Sequence, residues 1–112
     1  MIGYRYFVVK DTYSCGFLTA LEDVFGSDVD TILNLCAIFE DKLSLPELSM
    51  SDTKSYFTKK GNRVFHKAIL KCKKAYEEKG YEFKCIICEV EDDLILYKDE
   101  LQIVAIDYAC IA

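Results

Sequence analysis

The chain has 112 residues, of which 52% are hydrophobic and 29% are charged. That length is sufficient for one hydrophobic core, and the composition is typical of globular proteins. The sequence therefore predicts a single compact domain over residues 1–112 and excludes an intrinsically disordered chain. The 19 acidic and 14 basic residues give a net charge of −5, which argues against nucleic-acid binding by the whole surface.

The N-terminal residues show neither a basic region ahead of an apolar stretch nor a small-residue cleavage site. The longest uncharged stretch, Thr12 to Leu21, is about half the length that a membrane helix needs. We therefore expect a cytoplasmic protein without a membrane partner. In that compartment the six cysteines are expected to be reduced thiols.

The first half of the chain is predicted to form one strand and two helices. Tyr4 to Val9 is rich in aromatic and β-branched residues, which indicates an opening strand. A first helix ending at Gly26 is predicted from one apolar face, formed by Phe17, Leu18, Leu21, Val24 and Phe25. Ser27 and Asp30 form a capping-box variant that begins a second helix. Its predicted apolar stripe comprises Val29, Ile32, Leu33, Cys36 and Phe39.

A loop is predicted from Ser44 to Thr53, which contains the only proline, and Ser55 to Phe57 is predicted to be a short edge strand. A third helix begins at Thr58 or Asn62 and ends at Gly80. Its apolar seam comprises Phe65, Ala68, Ile69, Cys72 and Tyr76.

After Gly80 the apolar period changes from that of a helix to that of a strand. Strands are predicted at 81–88, 94–97 and 101–110, joined by charged turns into an antiparallel meander. The predicted class is α+β, with one antiparallel sheet of about four strands that includes the opening strand. About three helices cover the sheet, and the element order is β-α-α-(β)-α-β-β-β.

Charge is distributed unevenly along the sequence. Residues 59–79 hold eight basic and two acidic residues, a net charge of +6, whereas the rest of the chain holds 6 basic and 17 acidic residues, a net charge of −11. A basic ridge is predicted opposite the apolar seam of the third helix, formed by Arg63, Lys67, Lys71 and Lys74. This ridge is either a phosphate-binding surface or an ordinary solvated helix face.

The first two predicted helices carry acidic side chains that could face a basic partner. The candidate binding residues are Asp23, Asp28, Asp30, Glu40 and Asp41. The alternative is that these residues only contribute to solubility. Their clustering on two helices favours a partner surface.

A thiol enzyme is the alternative with the most definite chemistry. Cys15 is predicted at the start of the first helix, where the helix dipole favours the thiolate, and His66 is the only imidazole that could serve as its base. Cys85 and Cys88 have the spacing of half a zinc site, but they lie in a predicted strand and no second pair exists. We interpret both as small hydrophobic residues of the core, and we predict no catalytic residues, metal or cofactor.

Asp107 interrupts an apolar strand, where an unpaired charge would be costly. Either it lies on the solvent face or it pairs with a cation such as Arg5 on a neighbouring strand, and we favour the pair.

The sequence is therefore expected to encode a binding protein rather than an enzyme. The predicted function is an inhibitor or immunity-type protein that covers a protein or nucleoprotein complex by charge complementarity. Small acidic single domains without catalytic residues often serve as toxin-immunity proteins or as phage anti-defence inhibitors such as anti-CRISPR proteins, a comparison of kind and not of motif. The alternatives are a nucleic-acid-binding module that uses the basic helix 59–79, a thiol enzyme that uses Cys15 and His66, and a homodimer joined by its acidic and basic faces.

Overall fold

The computed structural model describes residues 1–43 and 53–106. The fold is α+β, with one antiparallel sheet of six strands and four helices in the described ranges, so the predicted class is confirmed and the predicted strand count is too low. In chain order the elements are β1 Ile2–Lys10, β2 Tyr13–Gly16, α1 Leu21–Phe25, α2 Val29–Lys42, β3 Thr53–Phe57, α3 Lys59–Val64, α4 His66–Glu78, β4 Glu82–Glu89, β5 Ile95–Lys98 and β6 Gln102–Ile106.

The strand order is β2-β1-β3-β6-β5, and β4 also pairs with β1. The opening strand therefore joins the sheet as predicted, and β5 and β6 form an antiparallel pair. The predicted meander is wrong in its first connection because β4 pairs with β1. Pairing β4 with β5 would need a tight hairpin turn between them. The chain instead forms a single turn of 3-10 helix there, at Asp92–Leu94. The predicted edge strand β3 lies inside the sheet, between β1 and β6.

The segment after the opening strand differs most from the prediction. Tyr13–Gly16 pairs antiparallel with Phe7–Lys10 as β2, and the turn between the strands places Asp11 at φ 53°. Asp tolerates this left-handed conformation better than most residues, which allows a tight hairpin. The first helix is therefore short, and it ends at Gly26 as predicted, where the backbone N–H donates to the Glu22 carbonyl over 2.9 Å.

Three predictions fall outside the described residues in whole or in part. They are the loop from Ser44 to Thr53, of which only Thr53 is described, the last strand beyond Ile106, and the pairing of Asp107 with Arg5.

The chain forms two compact units, both of which include parts of β1 and β4. The first unit comprises Met1–Arg5, Leu43–Val64 and Ile86–Ala112. Its core cluster is Tyr56, Cys88, Val90, Ile103 and Ala105, with Leu94 and Ile95 packed against it.

In the first unit, α3 begins beside the turn between β5 and β6. Thr58 caps α3, because its hydroxyl accepts from the Gly61 N–H over 3.0 Å and donates to the Glu100 carbonyl over 2.5 Å. Gly61 lies so close to this turn that a Cβ there would overlap the Leu101 carbonyl oxygen. The close approach of two backbones therefore requires glycine at this position.

The second unit comprises Tyr6–Lys42 and Phe65–Cys85 and has an aromatic core. The predicted seam of α4 is confirmed, since Phe65, Ile69, Cys72 and Tyr76 are all buried. α4 ends as predicted at Gly80, which has φ +85°. The Gly80 and Tyr81 N–H groups donate to the Glu77 and Tyr76 carbonyls over 3.0 and 3.1 Å, which is a Schellman motif.

We expect Gly61→Ala to lower the free energy of unfolding by about 2–3 kcal/mol, because the added methyl group displaces the Leu101 backbone. Urea unfolding followed by circular dichroism measures the loss. Lys59→Ala, an exposed substitution in the same helix, serves as the control and should change stability by less than about 0.5 kcal/mol. Equal effects of the two substitutions would contradict the close packing of α3 on the turn.

Candidate interaction surface

The rotation of α2 about its axis determines which of its side chains a partner could contact. Leu35, Cys36 and Phe39 are buried, whereas Val29 is 57% and Leu33 is 55% exposed. The predicted stripe is therefore correct at Cys36 and Phe39 and wrong at Val29 and Leu33. Apolar residues occur on several sides of this helix, so their spacing alone does not define which side is buried.

The exposed face of α2 combines an apolar row with acidic side chains. Val29, Leu33 and Ala37 recur every four residues and form one row, which ends at Asp41 four residues further on. Asp30 and Glu40 lie on opposite sides of this row, three residues from Leu33 and from Ala37 respectively, and both are exposed. We call these six residues the α2 surface: Val29, Asp30, Leu33, Ala37, Glu40 and Asp41.

All five predicted acidic residues are exposed and belong to the second unit. Asp23 lies in α1 and accepts a hydrogen bond of 2.7 Å from the Tyr13 hydroxyl. Asp28 precedes α2 and accepts from the Thr31 N–H over 3.2 Å and from the Thr31 hydroxyl over 2.7 Å. These bonds make Asp28 the N-cap, in place of the predicted pair of Ser27 and Asp30. The structure therefore brings three of the five candidates onto the α2 surface, and gives the other two local contacts.

Glu40 also affects the buried side of α2. Burial, followed by the charge of the Glu40 carboxylate, raises the pKa of the Cys36 thiol. Burial likewise raises the pKa of the Cys72 thiol to about 12. Both cysteines are therefore protonated at neutral pH and pack as small hydrophobic residues.

The residues of the predicted basic ridge are divided between two helices, because the third helix is interrupted at Phe65. The buried Phe65 ring lies 5.0 Å from the ring of Phe39, and its backbone lies between α3 and α4. Arg63 belongs to α3 in the first unit, whereas the three lysines belong to α4 in the second. The ridge is confirmed only as the exposed lysine face of α4, which we define as Lys67, Lys71 and Lys74.

The lysine face has mixed surroundings. Leu70 lies between Lys67 and Lys74 on the same side of α4 and is 48% exposed. At the end of the helix, Glu77 pairs with Lys73 over 3.8 Å, and Glu78 lies on the exposed side. The net positive charge of α4 is therefore concentrated in its first three turns.

The structure does not place Cys15 where the thiol-enzyme hypothesis requires it. Cys15 is half-buried in β2 rather than at the start of α1, and His66 is exposed at the first residue of α4. Among the described residues, no hydrogen bond joins Cys15 to His66. Burial, followed by hydrogen bonding to Asp23 and Cys15, raises the pKa of the neighbouring Tyr13 hydroxyl. Tyr13 therefore stays neutral and does not act as a base at neutral pH.

The two cysteines of β4 differ in their surroundings. Cys85 is exposed, so its predicted place in the core is wrong, whereas Cys88 is 3% exposed and belongs to the core cluster of the first unit. The structure records Cys88 as disulfide-bonded, so the prediction of six reduced thiols is wrong at this position. Within residues 1–43 and 53–106, no group of three His, Cys, Asp or Glu side chains could hold a metal ion.

Comparisons of this chain with protein-family models, with curated proteins and with solved structures find no match. None of the helices in the described part of the chain has the length and apolar character that a membrane crossing needs.

The cap at Asp28 predicts a pH dependence of stability. Hydrogen bonds from the Thr31 hydroxyl and N–H lower the pKa of the Asp28 carboxyl below its usual value of 3.8. A carboxylate with a lower pKa in the folded chain stabilises that chain above its unfolded pKa, and the contribution is lost as pH falls through the folded pKa. We expect the wild type to be more stable than Asp28→Asn at pH 7, and the difference to shrink below pH 3.8.

Urea midpoints of the two proteins at pH 7 and in the acid range measure this difference. Asparagine is the matched variant because it keeps a capping acceptor and does not titrate. A difference that stays constant across this pH range would show that the charge of Asp28 does not stabilise α2.

Proposed function

We propose that this chain is a small macromolecule-binding protein of the inhibitor or immunity type. Its α2 surface covers a basic site on a protein or nucleoprotein partner, and the function is occlusion of that site rather than catalysis. The observation that supports this proposal most strongly is the exposure of Val29 and Leu33 on a helix face that also carries Asp30, Glu40 and Asp41.

The apolar row supplies the attractive part of such an interface. Val29 and Leu33 are more than half exposed in the chain by itself, although the buried face of α2 already has a core to pack on. Exposed apolar side chains grouped together and bordered by polar residues are typical of protein-binding sites. Covering them removes apolar area from water, which favours association.

The acidic residues supply the preference for a basic partner. Carboxylates bordering an apolar contact steer a positively charged surface into place and disfavour an acidic one. The net charge of −5 acts in the same direction over longer distances. The proposal therefore predicts an association rate that falls as the salt concentration rises.

The other functions inferred from the sequence have less support. The nucleic-acid hypothesis depended on a continuous ridge, and Arg63 lies on a different helix from Lys67, Lys71 and Lys74. The thiol-enzyme hypothesis depended on a helix dipole at Cys15, which lies in a strand.

The proposal can be tested by affinity capture from lysates of the source cells, read by mass spectrometry, followed by binding measurements with the purified partner. We expect Asp30→Lys/Asp41→Lys to weaken binding at least about tenfold, because two favourable contacts become repulsive. Leu33→Asp should weaken binding similarly, since it places a charge in the apolar row. Circular dichroism verifies that each variant is folded.

Glu91→Lys/Asp93→Lys is the matched control, because it makes the same change in net charge at exposed positions outside the second unit. It should retain the partner with nearly unchanged affinity. The proposal is wrong if the α2 variants bind as tightly as the control, or if the retained species is nucleic acid that is lost on Lys67→Glu/Lys74→Glu.

A further inference from the structure

Two helices of the second unit carry exposed surfaces of opposite charge and similar layout. On α4, the exposed Leu70 lies between Lys67 and Lys74, which are about 10 Å apart along the helix axis. These three residues point away from the buried seam of Ile69, Cys72 and Tyr76. α4 therefore presents a leucine between two cations.

On α2, the exposed Leu33 lies between Asp30 and Asp41, which are about 16 Å apart along the helix axis. Ala37 follows Leu33 in the same row and leaves room for a larger side chain from a facing helix. Lysine side chains are long and flexible, so the shorter spacing of the cations does not prevent them from reaching the two carboxylates. α2 therefore presents the complementary arrangement, a leucine between two anions.

We propose that α4 of one copy of this chain docks on α2 of a second copy. Leu70 packs into the apolar row beside Leu33 and Ala37, while Lys67 and Lys74 pair with Asp30 and Asp41. The proposal rests on the same α2 surface as the proposed function, and it names a second occupant of that surface.

We infer that a second copy of this chain occupies the α2 surface because the exposed faces of α2 and α4 are complementary in charge. Packing rows spaced by four residues against each other is the commonest way in which two helices associate, and each helix carries such a row. On α2 the row is Leu33, Ala37 and Asp41, and on α4 it is Leu70 and Lys74. Among the described helices, α4 combines an exposed leucine with flanking lysines, which is the feature that an acidic, apolar helix face would recognise.

Self-association would regulate the proposed function by mass action. A second copy and a basic partner would compete for the α2 surface, so raising the concentration of the chain would reduce the fraction available to the partner. One helix pair buries little area, so we expect a dissociation constant on the order of 10⁻⁴ M that rises with salt.

Sedimentation velocity at low and high salt, at chain concentrations up to about the millimolar range, tests the proposal. The wild type should associate at low salt and dissociate at high salt. Each half-swap, Asp30→Lys/Asp41→Lys and Lys67→Glu/Lys74→Glu, should weaken association about tenfold or more. The chain carrying all four substitutions should associate like the wild type, because its net charge is unchanged and complementarity is restored.

A wild type that stays monomeric at low salt would overturn the proposal, and so would a four-substitution chain that associates no better than the half-swaps. Circular dichroism and thermal unfolding establish that all variants are folded. The variant Lys67→Glu/Lys74→Glu separates the two proposals, since it should lose self-association and keep the partner of the proposed function. Loss of partner binding by the α2 variants alone tests the proposed function independently of this result.

Discussion

In the second unit, the buried side chain of Tyr76 is placed among aromatic rings that come from several elements. Its ring lies 5.2 Å from that of Phe25 in α1 and 6.1 Å from that of Phe83 in β4, and its hydroxyl donates to the Phe17 carbonyl. Burial, followed by the nearby Cys72 thiol, raises the pKa of this hydroxyl, so it stays protonated and can donate. A buried hydroxyl without a partner would cost about 1–3 kcal/mol, which favours one rotational position of α4.

The same aromatic core sets the rotation of α2. The Phe17 ring contacts that of Phe39 with ring centres 5.4 Å apart, and Phe39 in turn lies 5.0 Å from Phe65 at the start of α4. With Phe39 directed inward, Leu35 and Cys36 are also buried, and Val29 and Leu33 are directed to solvent. The surface that we propose for binding is thus a consequence of how the interior is packed. The acidic side chains Asp30, Glu40 and Asp41 occupy the same outward side because it is the solvated one.

The sequence predicts the buried seam and the lysines of α4 well, because the large apolar side chains of that helix, apart from the exposed Leu70, lie on one side. α2 is apolar on several sides, and spacing alone did not separate Leu35, which is buried, from Leu33, which is exposed. The hairpin at Tyr13–Gly16 was missed because its four residues are short for a strand signal, although only two residues separate it from β1. The pairing of β4 with β1 joins residues that are far apart in the sequence, which local patterns do not encode.

The rotation of α2 is the claim on which both proposals depend, and a pair of leucine substitutions measures it directly. Leu35 is 4% exposed and Leu33 is 55% exposed, and alanine preserves the helix in both cases. Urea unfolding should show a loss of about 2–4 kcal/mol for Leu35→Ala and less than about 0.5 kcal/mol for Leu33→Ala. If Leu33→Ala costs as much as Leu35→Ala or more, Leu33 is a core residue, and α2 does not present the surface described.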